Sequence, residues 1–376
     1  MNLDAFRACF PVLDRLAWFT TPSSPPAPLP VTRALRAEID DWEAGEVSWP
    51  RRDEAAQRTR GQFARLMRAA PPGAGPGEVA LVQSVAEAAA TVAASLPPGS
   101  RVVVGAEEYR SNLFPWLDAA RRGLRVELVP MPDGRLSGEA LAGAVTPGTA
   151  LVAVSHVQSA TGWRVDLEPV AARCRETGAR LFVDATQSAG VLPLPPGVDP
   201  DYVAVHGYKW LLCPRGAAWL YVRPDRLSEL HPLAPGPKST AAPWSEFYGG
   251  PLAYAPDARR LDLSLCWPSW AGATAALDLV AGLDPVRLER HCLALAGLLR
   301  EGAAELGLRC PPSERPSHIV TVEVPDAGDA VRRLEDLGVR VTARVGALRF
   351  GFHGFNTPED VSRALSALRL VTGTAA

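Results

Sequence analysis

Two side chains 25 residues apart pose the chemical question for this chain: Asp184, which closes the apolar run RLFVD, and Lys209, which follows DYVAV in the stretch HGYKWLLCPRG. Both stand where a buried strand would release its chain. Taken alone, the lysine would be a snorkelling surface cation and the aspartate, followed by Ala-Thr-Gln-Ser, a helix N-cap. Composition weakens the first of these readings. The 39 cationic residues comprise 37 arginines and only two lysines, Lys209 and Lys238. Arginine can do a lysine's surface work but cannot supply a neutral amine near neutral pH. Lys209 sits in the apolar setting Tyr-Lys-Trp-Leu-Leu, whereas Lys238 lies in LAPGPKSTAAP, a flexible-looking connection with no acidic partner at a strand mouth. A lysine and an aspartate facing one pocket are what pyridoxal phosphate chemistry needs. The amine forms a Schiff base with the cofactor aldehyde. The carboxylate pairs with the pyridinium N–H, so that the ring can accept electrons from a substrate's α-carbon.

The surrounding elements must bring the two residues together. EVALV (78–82), RVVVG (101–105), RVELV (125–129), TALVAV (149–154), RLFVD (180–184), DYVAV (201–205) and AAWLYV (217–222) read as short buried strands. Helical patterns at 84–96, 111–122, 137–145 and 166–177 separate most of them. Buried β-branched runs interleaved with helices predict an α/β fold with a mostly parallel, seven-stranded-type sheet covered on both faces. Ligands of such sheets sit outside the carboxyl ends of the strands. Residues 231–258 are rich in Pro, Gly and Ser and predict an irregular connection. A helix near 270–282, a long amphipathic helix near 285–307 and alternating strands and helices then form a smaller α+β unit. The expected division is a large domain over 16–258 and a small C-terminal domain built from 1–15 and 259–376.

With 376 residues, a net charge of −2 and 21% charged residues, nothing asks for nucleic acid or a membrane surface. The N-terminus lacks the apolar core of a signal peptide, and no run reaches membrane-spanning length. Six scattered cysteines fit a reduced cytoplasm and no metal site.

The run FVDATQSAG…DYVAVHGYKWLLCPRGAAWLYV resembles the class V aminotransferase family of fold type I PLP-dependent enzymes. That family includes cysteine desulfurases, kynureninases, isopenicillin N epimerase-like proteins and C–S lyases, and the likeness extends from about residue 16 to 370. The resemblance implies that Lys209 is the Schiff-base lysine, Asp184 the pyridinium partner and Gln187 a donor to the cofactor's phenolic oxygen. LVQSVAEA is similar to the family's phosphate-cradling turn at a helix start, which implicates Ser84, Val85 and Ala86. Ala86 stands where a threonine hydroxyl is common, and Ser84 reads equally as a plain N-cap. His206 and Tyr208 match the positions that contribute phosphate contacts. EYRSNLFPW resembles the EHxSNxxPW segment, putting Tyr109 where a histidine stacks on the ring, and SHVQSATG puts Ser159 where an asparagine positions the cofactor. ALRFGFHGFNTPEDV resembles the RxSxHxYN motif and makes Arg349 the candidate for the substrate's α-carboxylate, which a guanidinium fork meets with two parallel hydrogen bonds.

By the same resemblance the enzyme is a homodimer acting on a small-molecule amino acid. The chain departs from desulfurases: VRVTARVGALRF runs straight through where they carry a nucleophilic cysteine on a loop. CWPSWAGA puts Trp267 where relatives place a threonine that reaches the neighbouring subunit's phosphate; Trp267 and Trp270 read as interface core or as pocket wall. Trp18 and Phe19 are further candidates to shape the pocket. With no desulfurase cysteine and an aromatic-rich pocket expected, β-elimination from a bulky cysteine S-conjugate is favoured. Transamination, epimerisation and decarboxylation-coupled oxidative deamination are the alternatives.

Overall fold

The computed structural model describes residues 1–67, 75–245 and 247–373. The chain opens with α1 (Leu3–Arg7), β1 (Ala17–Trp18), α2 (Leu29–Glu43) and α3 (Trp49–Leu66). Its central part alternates β2 (Val79–Val82), α4 (Val85–Ser95), β3 (Arg101–Gly105), α5 (Phe114–Ala119), β4 (Arg125–Val129), α6 (Gly138–Ala144), β5 (Thr149–Ser155) and α7 (Leu167–Thr177). Then come β6 (Arg180–Asp184), β7 (Tyr202–His206) and β8 (Ala218–Val222). After the irregular connection follow α8 (Trp267–Ala281), α9 (Pro285–Glu305), β9 (Ile319–Glu323) and α10 (Ala327–Asp336). The chain closes with β10 (Val339–Arg340), β11 (Thr342–Arg344), β12 (Ala347–Gly351) and α11 (Pro358–Thr372).

Seven strands form the large sheet in the order β2-β8-β7-β6-β5-β3-β4. Neighbours from β4 across to β7 run parallel; β8 alone reverses, antiparallel to both β7 and β2. The sequence shows why the sheet is buried on both faces. Val103, Val152, Val183 and Val203 enter one apolar cluster, while Val102, Val104, Leu151, Phe182 and Ala204 enter the other. Successive residues of a strand point to opposite faces, so uninterrupted apolar runs supply two cores at once.

A three-stranded antiparallel sheet, β11-β12-β9, forms the smaller unit, and β1 pairs in parallel with β10. Residues 17–19, expected in the large domain, therefore pair along β10. Residues 259–266 run beside β2 of the large sheet: Asp262 accepts the Leu81 N–H at 3.0 Å and forms a buried ion pair with Arg60 of α3.

One local expectation is corrected. The single helix expected over 111–122 is a 3-10 turn (Arg110–Asn112), α5 and a second 3-10 turn (Ala120–Arg122). Pro115 restarts the helix near its own N-terminus, and Gly123, at φ 93°, closes it. Residues 231–258 are irregular as expected, and Lys238 finds an acidic partner on a helix and not at a strand mouth. Its ammonium pairs with Asp53 of α3 and lies 3.5 Å from the Trp244 ring centroid. Among the described residues no helix is long and apolar enough to cross a membrane.

Candidate active site

The parallel strands β5, β6 and β7 end at Ser155, Asp184 and His206, and these three residues line one cavity of about 160 Å³. The N-terminus of α4 closes another side with Ser84 and Val85, and Tyr109, Gln187, Tyr208 and Lys209 complete the set that the sequence brought forward. Two members lie outside the lining. Ala86 is one position further along α4, and Arg349 sits behind Ser159, which does line the cavity.

Lys209 lies in the connection between β7 and the reversed strand β8 and is 4% exposed. Burial lowers its pKa to about 8; Asp184 pulls the other way, while Arg349 and Arg215 add to the lowering. The loop is pinned around it. Trp210 donates its indole N–H to Gln187 Oε1 at 2.8 Å, and its carbonyl meets His353 Nε2 at 2.9 Å. Because the Gly354 N–H donates to His353 Nδ1 at 2.7 Å, that ring must carry its proton on Nε2. Leu212, at φ 60°, turns the chain in the left-handed region three residues after the lysine, a strained placement of the kind that collects at functional sites.

Asp184 is 6% exposed, and its Oδ1 accepts the Thr186 N–H at 2.9 Å. Burial raises its pKa, countered by Thr186 and by the Lys209 charge. The expected N-cap reading holds in a reduced form: Asp184 caps a turn, since no helix follows it. Ser84 does cap α4, accepting the Glu87 N–H at 3.1 Å.

His206 presents a buried Nε2 with no hydrogen-bond partner, and burial lowers its pKa to about 4, with Lys209 and Arg215 adding to the shift. Its ring meets Tyr208 edge-on at 4.3 Å. The Tyr109 ring is half-exposed, 5.2 Å from Lys209 Nζ. Gln187 uses its amide inside the protein, donating to the Pro22 carbonyl at 3.0 Å and to Ser159 Oγ at 2.9 Å. Donation to a phenolic oxygen would require it to release one of these. Arg349 is buried and donates to the Ser159 carbonyl and to Ser23 Oγ, while its Nε has no partner.

Of the two readings for Trp267 and Trp270, the pocket wall is not met, and neither they nor Trp18 and Phe19 line the cavity. Trp270 is fully buried against Trp219, Trp267 packs on Trp49, and Phe19 is buried between Phe350 and Phe352. Trp18 donates to the Ser24 carbonyl at 3.0 Å and does not line the cavity. The two tyrosines are the aromatic lining, and the rest is mainly polar.

The sequence reading missed Arg215 and Glu108. Arg215 lines the cavity with its guanidinium 4.0 Å from the Tyr208 ring centroid. Its position six residues after the lysine, in a Cys-Pro-Arg-Gly turn, was the available signal. Glu108 lies buried beneath, accepting from the Ser155 N–H at 2.7 Å and from Gln158 Nε2 at 2.9 Å.

These residues suit pyridoxal phosphate. The lining offers an anion a helix N-terminus, the orphaned His206 nitrogen and the Arg215 cation. The buried amine lies beside them, and a buried carboxylate waits for a ring N–H.

The family profile described as aminotransferase class-V matches residues 50–363. The chain is 29% identical over 375 residues to the uncharacterized aminotransferase YcbU of Bacillus subtilis (strain 168), covering 98% of each. It is 29% identical over 351 residues to isopenicillin N epimerase of Streptomyces clavuligerus, covering 84% of each. The solved structure of the cysteine desulfurase CsdA from Escherichia coli matches at a TM-score of 0.84 and 23% identity, covering 100% of both chains.

Proposed function

The chain belongs to the class-V aminotransferase family of pyridoxal phosphate enzymes, and from that premise we propose that it cleaves the C–S bond of a cysteine S-conjugate by β-elimination. When bound, the cofactor supplies an aldehyde for an amine and an electron-accepting ring that acidifies the substrate's α-proton. The chain's own residues divide the remaining work. Arg349 holds the α-carboxylate through its guanidinium fork. Lys209 is the base at Cα, its amine drawn toward the neutral form by burial. Asp184 accepts the ring N–H, and Tyr109 stacks on the ring. Ser84, Val85, Ala86, His206, Tyr208 and Arg215 hold the phosphate. Gln187 and Ser159 brace the loop that carries Lys209 against Arg349.

The step balances without a protein nucleophile. The α-proton passes to Lys209 Nζ, the Cβ–S bond breaks, and sulfur leaves with the bonding pair as a thiolate. The released enamine hydrolyses to pyruvate and ammonia.

One observation favours elimination over transfer of sulfur to the enzyme: among the described residues no cysteine lines the cavity. The β11–β12 connection is a two-residue turn, Val345–Gly346, with no cysteine to offer. Cys213, near Lys209 in the chain, is buried, and burial pushes its thiol pKa upward, which keeps it unreactive. The polar lining supports a polar substituent on sulfur rather than an aromatic one.

The likeness to isopenicillin N epimerase supports a second reading, inversion at Cα. Product analysis with cysteine S-conjugates separates the two: pyruvate and free thiol support the lyase, whereas recovery of only the inverted, solvent-deuterated amino acid would replace it. The enzyme is further proposed to work as a homodimer in the cytoplasm. Ile39, Trp42 and Trp49, on α2 and α3, are 49%, 72% and 52% exposed and offer an apolar face for the second copy.

A further inference from the structure

Arg349 has a neighbour of the same charge. Arg344 Nη2 donates to Ser23 Oγ at 3.2 Å, and Arg349 Nη2 donates to that same hydroxyl. Two guanidinium groups thus converge on one oxygen. Neither has a carboxylate partner among the described residues. Burial and Arg344 both push Arg349 away from its charged form, yet a guanidinium stays protonated in proteins. The pair therefore holds uncompensated positive charge that a single α-carboxylate would half neutralise.

The positive character continues beyond Arg344. Arg344, Val345, Gly346 and Ala347 of the hairpin line a second cavity, of about 420 Å³, together with Ala160 and Thr161. Those residues follow Ser159 directly, so a single turn serves both cavities. The second cavity is also lined by Arg135, Arg300 and Arg309, against Asp133 and Glu323. Arg309 is neutralised by Glu323 at 2.6 Å. Arg135 lies over the Trp163 ring, and Arg300 donates to the Pro311 carbonyl while its buried Nε has no partner. Among the described residues neither makes an ion pair with a carboxylate.

We propose that the substrate carries a second acidic group on its side chain, which Arg344 and the adjoining arginine-lined cavity receive while Arg349 holds the α-carboxylate. This rests on the reading of Arg349 given above and narrows the substrate class to dianionic amino acids. Guanidinium–carboxylate pairs are among the strong hydrogen-bonded contacts, and the hairpin holds the exposed Arg344 and the buried Arg349 on adjacent strands, where Thr342 pairs with Arg349 and Arg344 with Ala347.

The test compares two ligands of equal shape, S-carboxymethyl-cysteine and its neutral amide S-carbamoylmethyl-cysteine, by spectral titration of the holoprotein. The acid should bind at least ~10-fold more tightly, the usual worth of a hydrogen bond to a charged group. Arg344→Gln should bring that preference to within about twofold. Arg309→Gln, which removes the same charge from the same cavity but from an already paired residue, should leave the preference in place. Acid and amide binding equally to the unaltered protein would overturn the proposal, as would an equal loss of preference in both variants. Failure of the elimination reading looks different: if the acid is preferred but neither ligand yields pyruvate and thiol, the second-anion site stands and the reaction is another one.

Discussion

Lys209 is pulled in two directions, since burial disfavours its ammonium and the Asp184 charge favours it, and burial is the larger influence. The consequence for the cofactor-free protein has a definite sign. Its folded pKa of about 8 lies below the ordinary 10.5, so between those values the unfolded chain binds the extra proton and the folded chain does not. Stability therefore rises with pH across that window, and the burden of the buried ammonium is fully present below pH 8. Cofactor-free Lys209→Met should resist urea better than the parent at pH 7, with the gap narrowing by pH 10; a gap that widens would contradict this. In the loaded enzyme, borohydride should fix the cofactor on the peptide containing Lys209, and labelling of Lys238 or of neither would overturn the site. Arg215→Gln should weaken cofactor binding by about 10-fold or more, in line with losing one charge-assisted hydrogen bond, measured by equilibrium dialysis. Lys209 and Asp184 were legible because rarity and strand endings single them out. Arg215 was hidden among 37 arginines, and Glu108 is a network carboxylate whose partners, Ser155 and Gln158, lie at the end of β5 and just beyond it.

At the scale of elements, the strands of the large sheet could be read directly because each is a short apolar run bounded by turn residues. The two-residue β1 could not, since its partner β10 lies more than 300 residues away and neither run carries a periodic signal. The break at Pro115 was written in the chain, but a helical pattern on both sides obscured it. The β11–β12 hairpin makes its own prediction. Its turn places Val345 at φ 49° and Gly346 at φ 75°, the left-handed pair that two-residue hairpins favour. Glycine suits that geometry, and a β-branched residue is strained in it. Because Val345 is 82% exposed, nothing is gained from its packing. Val345→Asn should therefore raise stability by about 1 kcal/mol, read from the urea midpoint at unchanged m-value.

Across the whole molecule, distant parts of the chain are tied by a few buried polar groups. Arg60 on α3 donates to the Val79 carbonyl and to Asp262, which itself caps the Leu81 N–H of the edge strand. Removing one partner of such a pair leaves a buried charge alone, at a cost of about 3–5 kcal/mol. Arg60→Met should show that loss in urea denaturation, and adding Asp262→Asn should recover part of it. Sequence patterning could not show this tie, because no spacing rule links residue 60 to residue 262. Another property of the whole follows from where the two lysines ended up. One is enclosed in the cavity and the other is held between Asp53 and Trp244, so neither lysine is offered freely to amine-directed reagents. A succinimidyl ester should leave both lysines unmodified in the native holoprotein. Lysine adducts should appear only as the fold opens, so the mass spectrum of an acylated sample would count unfolded molecules directly.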